Sequence, residues 1–338
     1  MRYFEKKLAT EQLPIFFQWH NENKEAIHTW INNAEKTGDN LWEQLGKTFG
    51  IVKTTEIDPK MLRNELETAL FNKQNGLCCY CGNAIERTKN QEQVIWVYVH
   101  RAIEHFYEKN RTEFKKMTFD IANLMLCCKE SQRLTSFEFG KIYENKVIQN
   151  FRDVAILVNL PESVLKSYDK NEAISKRLLK KGDSIYVPNP THCDDEKSKF
   201  DSKKEHFIII NPSVDNDLIK KLIFQENGKI GYAGREVSKN EIIENTFKVL
   251  ALNCSTLVEK RQEKWTDSYV NYTEKVLPIL TNESIEIGLS SDEDIENFIS
   301  ANVSKLIEGK GNPNDEGLLE SFYFVEIAFL KSLFNGKL

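Results

Sequence analysis

Cysteines set the first chemical constraint in this chain. Cys78-Cys79-Tyr80-Cys81-Gly82 contains a C-x-x-C pair, Cys78 with Cys81, and Cys127-Cys128 and Cys193 follow much later. Two thiolates at that spacing on a tight turn can take adjacent corners of a zinc tetrahedron at about 2.3 Å each, with Cys79 turned elsewhere. The pair alone fits a redox motif equally well, so further ligands must come from Cys127 or Cys128 and from Cys193. The cysteine count is odd, five cysteines are crowded into Cys78, Cys79, Cys81, Cys127 and Cys128, and nothing points to secretion. Metal ligation is therefore expected over a disulfide framework. Between the cysteine groups stand Glu104-His105 and Asn123-Leu124. A neutral imidazole, with an unperturbed pKa of about 6.5, can take a proton from water. A carboxylate beside it is a hard oxygen ligand suited to Mg²⁺ or Mn²⁺.

These residues need elements to hold them. From Asp58-Pro59 the pattern Met61, Leu62, Leu66, Leu70 predicts a helix, with Pro59 near its start and Gly76 as its stop, that delivers the chain to Cys78. Val94 to Val99 is β-branched and aromatic, and this strand runs directly into His100 and then Glu104-His105. His206 to Ile210 reads as a second strand ending at Asn211-Pro212. Residues 1–60, with Phe16, Phe17, Trp19, Trp30 and Trp42, read as short helices and loops. After Gly228 and Gly231 the chain turns helical: Ile243, Phe247 and Leu250 share a face, Ser291 precedes Ile295, Phe298 and Ile299, and Leu318, Phe322, Val325, Phe329 and Leu333 form a last stripe.

The bulk numbers narrow the function classes. With 338 residues and 40% hydrophobic content the chain is long enough for two or three packed units. Apolar runs such as Val154 to Leu160 fall far short of the roughly 20 residues that span a bilayer, so no membrane association and a cytoplasmic location are expected. A net charge of −5 argues against a protein that coats nucleic acid indiscriminately; any nucleic-acid site must be local or shared with a partner. Gly46-Lys47-Thr48 is not a phosphate-binding loop, because Leu41 stands where its first glycine should be.

The ordered succession GLCCYCG, IEHF, NLMLCC, HCDDEKSKF, FIIINPSVDN and KVLALNCSTLVEKRQEK resembles the HNH endonuclease subunit of Septu and retron anti-phage defence systems, over roughly residues 60–265. The resemblance implies an α+β fold, a small ββα-metal (HNH) module with a zinc knuckle embedded in a mainly α-helical chain. Its parts would be an N-terminal helical region 1–60, the nuclease module 61–130 plus 191–225, an insertion 131–190 within the knuckle that packs outside it, and a C-terminal helical domain 226–338. Structural zinc would be held by Cys78, Cys81, Cys128 and Cys193. His105 would be the general base, and Glu104 and Asp194 would hold a catalytic Mg²⁺ or Mn²⁺. Asn123 would orient the base or the scissile phosphate, and Lys197 would contact phosphate. The implied partners are a DNA substrate, an SMC- or ABC-like ATPase that supplies sensing and gating and, in a retron system, a reverse transcriptase with its RNA–DNA.

The chain departs from the family pattern in two places: 64 residues separate Cys128 from Cys193, and Ser198-Lys199 stands where a glycine usually follows the lysine. The long gap leaves His192 as a rival fourth ligand. His100 is a second candidate base. Cys79, Cys127 and Cys254 read as small buried hydrophobes, and His20, His28 and His206 as structural. Lysines 176, 180, 181, 199, 203 and 204 suit a nucleic-acid path and a solvated face equally. The C-terminal stripes read as core before partner surface, yet the helices after about residue 239, with the N-terminal 60 residues, are where docking to the ATPase is expected. The alternative to a nuclease is a non-catalytic zinc scaffold subunit of an ATPase complex.

Overall fold

The computed structural model describes residues 1, 3–4, 12–32, 59–90, 95–98, 101–109, 111–128, 134–137, 185–188, 192–201, 208–233 and 237–334. Trp42, His100, the run 154–160, His206 and lysines 176, 180, 181, 203 and 204 lie outside them, as does the side chain of Lys199. The chain divides into two compact units. One comprises Met1–Lys129, His192–Asn253 and Leu257–Leu338; the other comprises Glu130–Thr191 with Cys254–Thr256. Within residues 130–191 the second unit is described only through the antiparallel pair β5 (Leu134–Phe137) and β6 (Ile185–Pro188).

The first unit mixes helices with two-stranded antiparallel sheets, consistent with the α+β class. In chain order it contains α1 (Pro14–Glu22), α2 (Lys24–Asn32), α3 (Pro59–Lys73), β1 (Arg87–Asn90), β2 (Ile95–Tyr98), β3 (Arg101–His105) and β4 (Leu124–Cys128). After the second unit come α4 (Asp194–Asp201), α5 (Asn216–Ile219), β7 (Leu222–Phe224), β8 (Ile230–Tyr232) and α6 (Val237–Val249). The chain ends in α7 (Ser255–Asn271), α8 (Leu277–Glu286), α9 (Asp292–Lys310) and α10 (Tyr323–Ser332). None of the described helices is long and apolar enough to cross a membrane.

Helix α3 forms as its spacing predicts, burying Leu62, Leu66 and Leu70 on one face while Met61 stays 42% exposed. It ends where Asn75 and then Gly76 adopt left-handed backbone, and the Gly76 amide reaches back to the Phe71 carbonyl at 2.9 Å. Glu65 on α3 accepts the amides of Ile15 and Phe16 at 3.0 and 2.8 Å, placing a carboxylate at the positive end of α1. Buried Glu67 pairs with Arg63 and with Arg101 at the start of β3.

The central hairpin pairs β3 with β4, Arg101 opposite Cys128 and His105 opposite Leu124. All of Leu124 to Cys128 is buried. Gln74, also buried, joins the end of α3 to this hairpin: its amide nitrogen donates to the carbonyls of Leu126 (2.6 Å) and Leu77 (2.8 Å), and its oxygen accepts from the Leu126 amide (2.8 Å). The strand expected over His206 to Ile210 does not form in its described part, 208–210. There the Ile210 amide donates to the Thr246 hydroxyl of α6, so a helix side chain takes the place of a ladder partner.

Residues on both sides of position 226 belong to the first compact unit. Arg261 on α7 is buried and donates to the carbonyls of Gly228 (2.6 Å) and Leu252 (2.7 Å), fastening the β7–β8 turn to the α6–α7 connection. Ser291 caps α9 by accepting the Asp294 amide. Lys264 and Lys310 flank the buried carboxylate of Glu326 on α10. Of the stripe residues considered for docking, Ile243, Leu250, Phe322, Val325 and Phe329 are buried in this chain's own core, and Phe247 and Leu318 are half-buried.

Replacing Gln74 by Met keeps the shape and removes three buried hydrogen bonds, leaving the Leu126 amide without its side-chain acceptor while the Leu126 carbonyl keeps the Cys79 amide at 3.2 Å. Chemical denaturation is expected to show a loss of about 2–4 kcal/mol, against a change of under about 1 kcal/mol for Met61→Gln on the exposed face.

Candidate metal centre and adjoining acid-histidine site

Cys78 and Cys81 sit on a turn closed by the Gly82 amide donating to the Cys78 carbonyl at 3.1 Å, and the Asn83 amide points at Cys81 Sγ. Gly82 has φ +75°, and a Cβ there would lie 2.2 Å from the Phe324 ring, so only glycine fits. Cys128 comes from the end of β4. Alternation along that strand turns Cys127 to the other face, where its thiol meets the Ala102 carbonyl. Cys193 precedes α4 in a left-handed conformation, φ 56°, which is costly for a residue with a Cβ. Its amide donates to Leu250 and its carbonyl accepts the Lys197 amide, both at 2.9 Å.

The four Sγ atoms of Cys78, Cys81, Cys128 and Cys193 are buried and lie within 4.8 Å of one another. Cys78 is 3.9 Å from Cys193, and Cys81 is 3.6 Å from Cys128. Sulfurs at the corners of a tetrahedral zinc site, each about 2.3 Å from the ion, would stand about 3.8 Å apart. These four residues could hold a metal ion such as zinc, and its role there would be to close distant segments. Burial alone would push the Cys78 thiol up, but hydrogen bonds from Cys128 and Cys193 hold it well below its ordinary value. Cys193, by contrast, is pushed up by burial and by its sulfur neighbours. Four buried sulfurs cannot all ionise without a compensating cation. His192 lies beside this set, its Nδ1 3.2 Å from Cys193 Sγ and 3.7 Å from Cys128 Sγ.

Residues 317–324 run along the outside of the turn. Leu319 and Phe322 donate to the carbonyls of Asn75 and Gly82, and Ser321 bonds both Asn83 and the Ala84 amide. The turn is thus covered by chain from far along the sequence.

Directly beyond the sulfur cluster, the end of β3 presents Glu104 and His105, both buried. His105 Nε2 lies 3.0 Å from the Thr118 carbonyl, which can only accept; this nitrogen carries the proton, and Nδ1 is the basic one. Burial, helped by the charge of Lys109, lowers the His105 pKa to about 3, so the ring is neutral at physiological pH. Glu104 accepts from Lys197 Nζ at 2.7 Å, with Tyr80 at 3.4 Å, and Asp194 is within hydrogen-bonding reach. Burial pushes the Glu104 carboxyl well up, Asp194 adds to this, and Lys197 opposes it. Lys197 also donates to the His105 carbonyl at 3.1 Å and is itself buried, so its ammonium is spent on the strand end.

Asn123 uses its whole amide on the loop after His105: its oxygen accepts the Tyr107 amide at 2.7 Å, and its nitrogen donates to the carbonyls of Tyr107 and Met117. It therefore shapes the loop that carries Thr118 to His105. The fold thus gathers Glu104, His105, Asp194 and Lys197 at one point, with Asn123 behind them. Tyr80 and the Thr118 carbonyl were not foreseen. Tyr80 lies inside the C-x-x-C pair, which was its available signal, whereas a backbone carbonyl leaves none. No protein-family model matches the chain, and no curated protein is similar to it.

Elemental analysis of protein purified without chelator is expected to find about one zinc per chain. Cys193→Ser should lose most of it and melt at lower temperature, while Cys127→Ser keeps it. Retention of zinc by Cys193→Ser together with its loss in His192→Ala would make the imidazole the fourth ligand.

Proposed function

We propose that this chain is a metal-dependent endonuclease of the HNH class that hydrolyses phosphodiester bonds of DNA, as the effector of an anti-phage defence complex with an SMC- or ABC-like ATPase. The observation that carries the reading is the convergence of Glu104 and His105, at a strand end, with Asp194 and Lys197, on the helix that follows Cys193. The antiparallel pair β3–β4 and the helix α4, which follows after the intervening segment 129–193, would be the parts of a ββα-metal module in this reading.

In this reading His105 Nδ1 takes the proton of the attacking water, while the Nε2 proton stays on the Thr118 carbonyl and fixes the ring. The ring is neutral at pH 7 and can accept a proton, although its lowered pKa makes Nδ1 a weaker base than an exposed imidazole. The water oxygen bonds to phosphorus and the ester oxygen leaves. Glu104 and Asp194 would hold the divalent Mg²⁺ or Mn²⁺, which neutralises charge developing on the phosphate. Lys197 must shift from Glu104 for that ion to bind, and its ammonium then has a phosphate within reach. Asn123 acts through the loop backbone. A net charge of −5 supports a partner that delivers substrate, since the chain lacks the overall basic charge for tight unaided grip.

One observation favours the second reading, a non-catalytic zinc scaffold: the Lys197 ammonium already occupies Glu104 at 2.7 Å and satisfies its charge without a metal. A plasmid-nicking assay separates the two. With Mg²⁺ or Mn²⁺, full-length protein, alone or with its ATPase, is expected to nick, and His105→Ala is expected to cut about 10²- to 10⁴-fold more slowly with zinc content unchanged. Nicking that survives in His105→Ala at the wild-type rate would remove this base from the mechanism.

A further inference from the structure

Beside the acid-histidine site lies a cleft of about 310 Å³, at the small end of the range for ligand sites. One wall is aromatic. Phe106 and Tyr107, the two residues after His105, meet edge to face at 5.0 Å, and Tyr107 leans on Phe114 at 4.9 Å. The Asn123 amide clamps the Tyr107 backbone on both sides, so this wall is held in register with His105. Ile208 and Val214, 59% and 68% exposed, also line the cleft, as do Glu108, paired with Arg111, and Asp215, which accepts the Asn211 amide. Lys197 is common to the cleft and to the acid-histidine site. Open apolar side chains and aromatic rings lining one recess suit an apolar ligand face.

We infer that this cleft receives a single nucleobase, unstacked from its strand, adjacent to the phosphodiester at His105, so that unpaired nucleic acid is the preferred substrate. The inference rests on the nuclease reading for the position of the phosphate. A base has apolar ring faces that the aromatic rings and the open Ile208 and Val214 can take, and Lys197, held by Glu104 and the His105 carbonyl, joins the cleft to the acid-histidine site. The fully paired duplex keeps its bases stacked inside, out of reach of a recess of this size. A base already unpaired enters without the cost of unstacking. The fit is to a ring face and not to a base edge, so little discrimination among the four bases is expected.

The probes are oligonucleotides with one 2-aminopurine, either unpaired in a short gap or fully paired, made as DNA and as RNA. Full-length protein should bind the gapped forms with a change in 2-aminopurine fluorescence and cut them about tenfold or more faster than the duplex. Ile208→Glu and Val214→Glu are at exposed positions where folding tolerates a charge, and each should erase that preference while zinc content stays normal. The faster of the DNA and RNA arms names the strand. Cutting of duplex and gapped forms at one rate, or a preference unchanged in both Glu variants, overturns the base cleft and leaves the nuclease reading standing. A fluorescence change abolished by the Glu variants, with no cutting under any condition, upholds the cleft and removes the nuclease. Neither cutting nor fluorescence change overturns both.

Discussion

Four sulfurs from three places in the chain meet at one buried point, and the rest of the first unit is arranged by that meeting. Cys78 and Cys81 arrive on a turn after α3, Cys128 at the end of β4, and Cys193 at the start of α4. Cys193 is the residue on which α4 is hung, since its carbonyl receives the Lys197 amide. The sulfur cluster therefore sets where Asp194 and Lys197 fall relative to Glu104, although none of these three would touch a metal held there. The left-handed backbone of Cys193 shows which side gives way: the helix start bends to serve the cluster.

The second layer is electrostatic. Glu104, His105 and Lys197 are all buried, so their charges are little screened and must be answered locally. Lys197 answers Glu104, a carbonyl answers His105 Nε2, and burial keeps the imidazole neutral. The cluster is balanced as it stands, with the ammonium on the carboxylate. In the proposed nuclease a divalent cation would take the place of that ammonium, and the shift would be local because Lys197 lies on a helix hung from Cys193.

The sequence was most legible where chemistry and periodicity coincide. Helix α3 followed from Pro59, Leu62, Leu66 and Leu70, and the choice of Cys128 over Cys127 agrees with the two-residue alternation of β4. Legibility failed where a segment's partner is remote. Ile208 to Ile210 has strand-forming composition, but which group its amides meet depends on Thr246, and local pattern cannot express that. The stripe through Phe322, Val325 and Phe329 was visible as a stripe; whether it faced its own core or another protein was decided by Trp265, Tyr272 and Phe324, which lie across the tertiary structure from it or beside it. Lys197 was recognised as a cation near the site. Its burial against Glu104 is a three-dimensional fact without a spacing signature.

The cover over the Cys78–Cys81 turn has a consequence for how the chain comes to exist. Asn75 bonds Gly317 across 242 positions, and Gly82 lies beneath Phe324. A ribosome completes the turn long before it makes the strap that lies on it, and pairings so distant in sequence are among the slowest to form. A nascent chain would thus hold its sulfur turn uncovered until the strap 242 positions further on has been made, and the four-sulfur cluster would gain its cover only then.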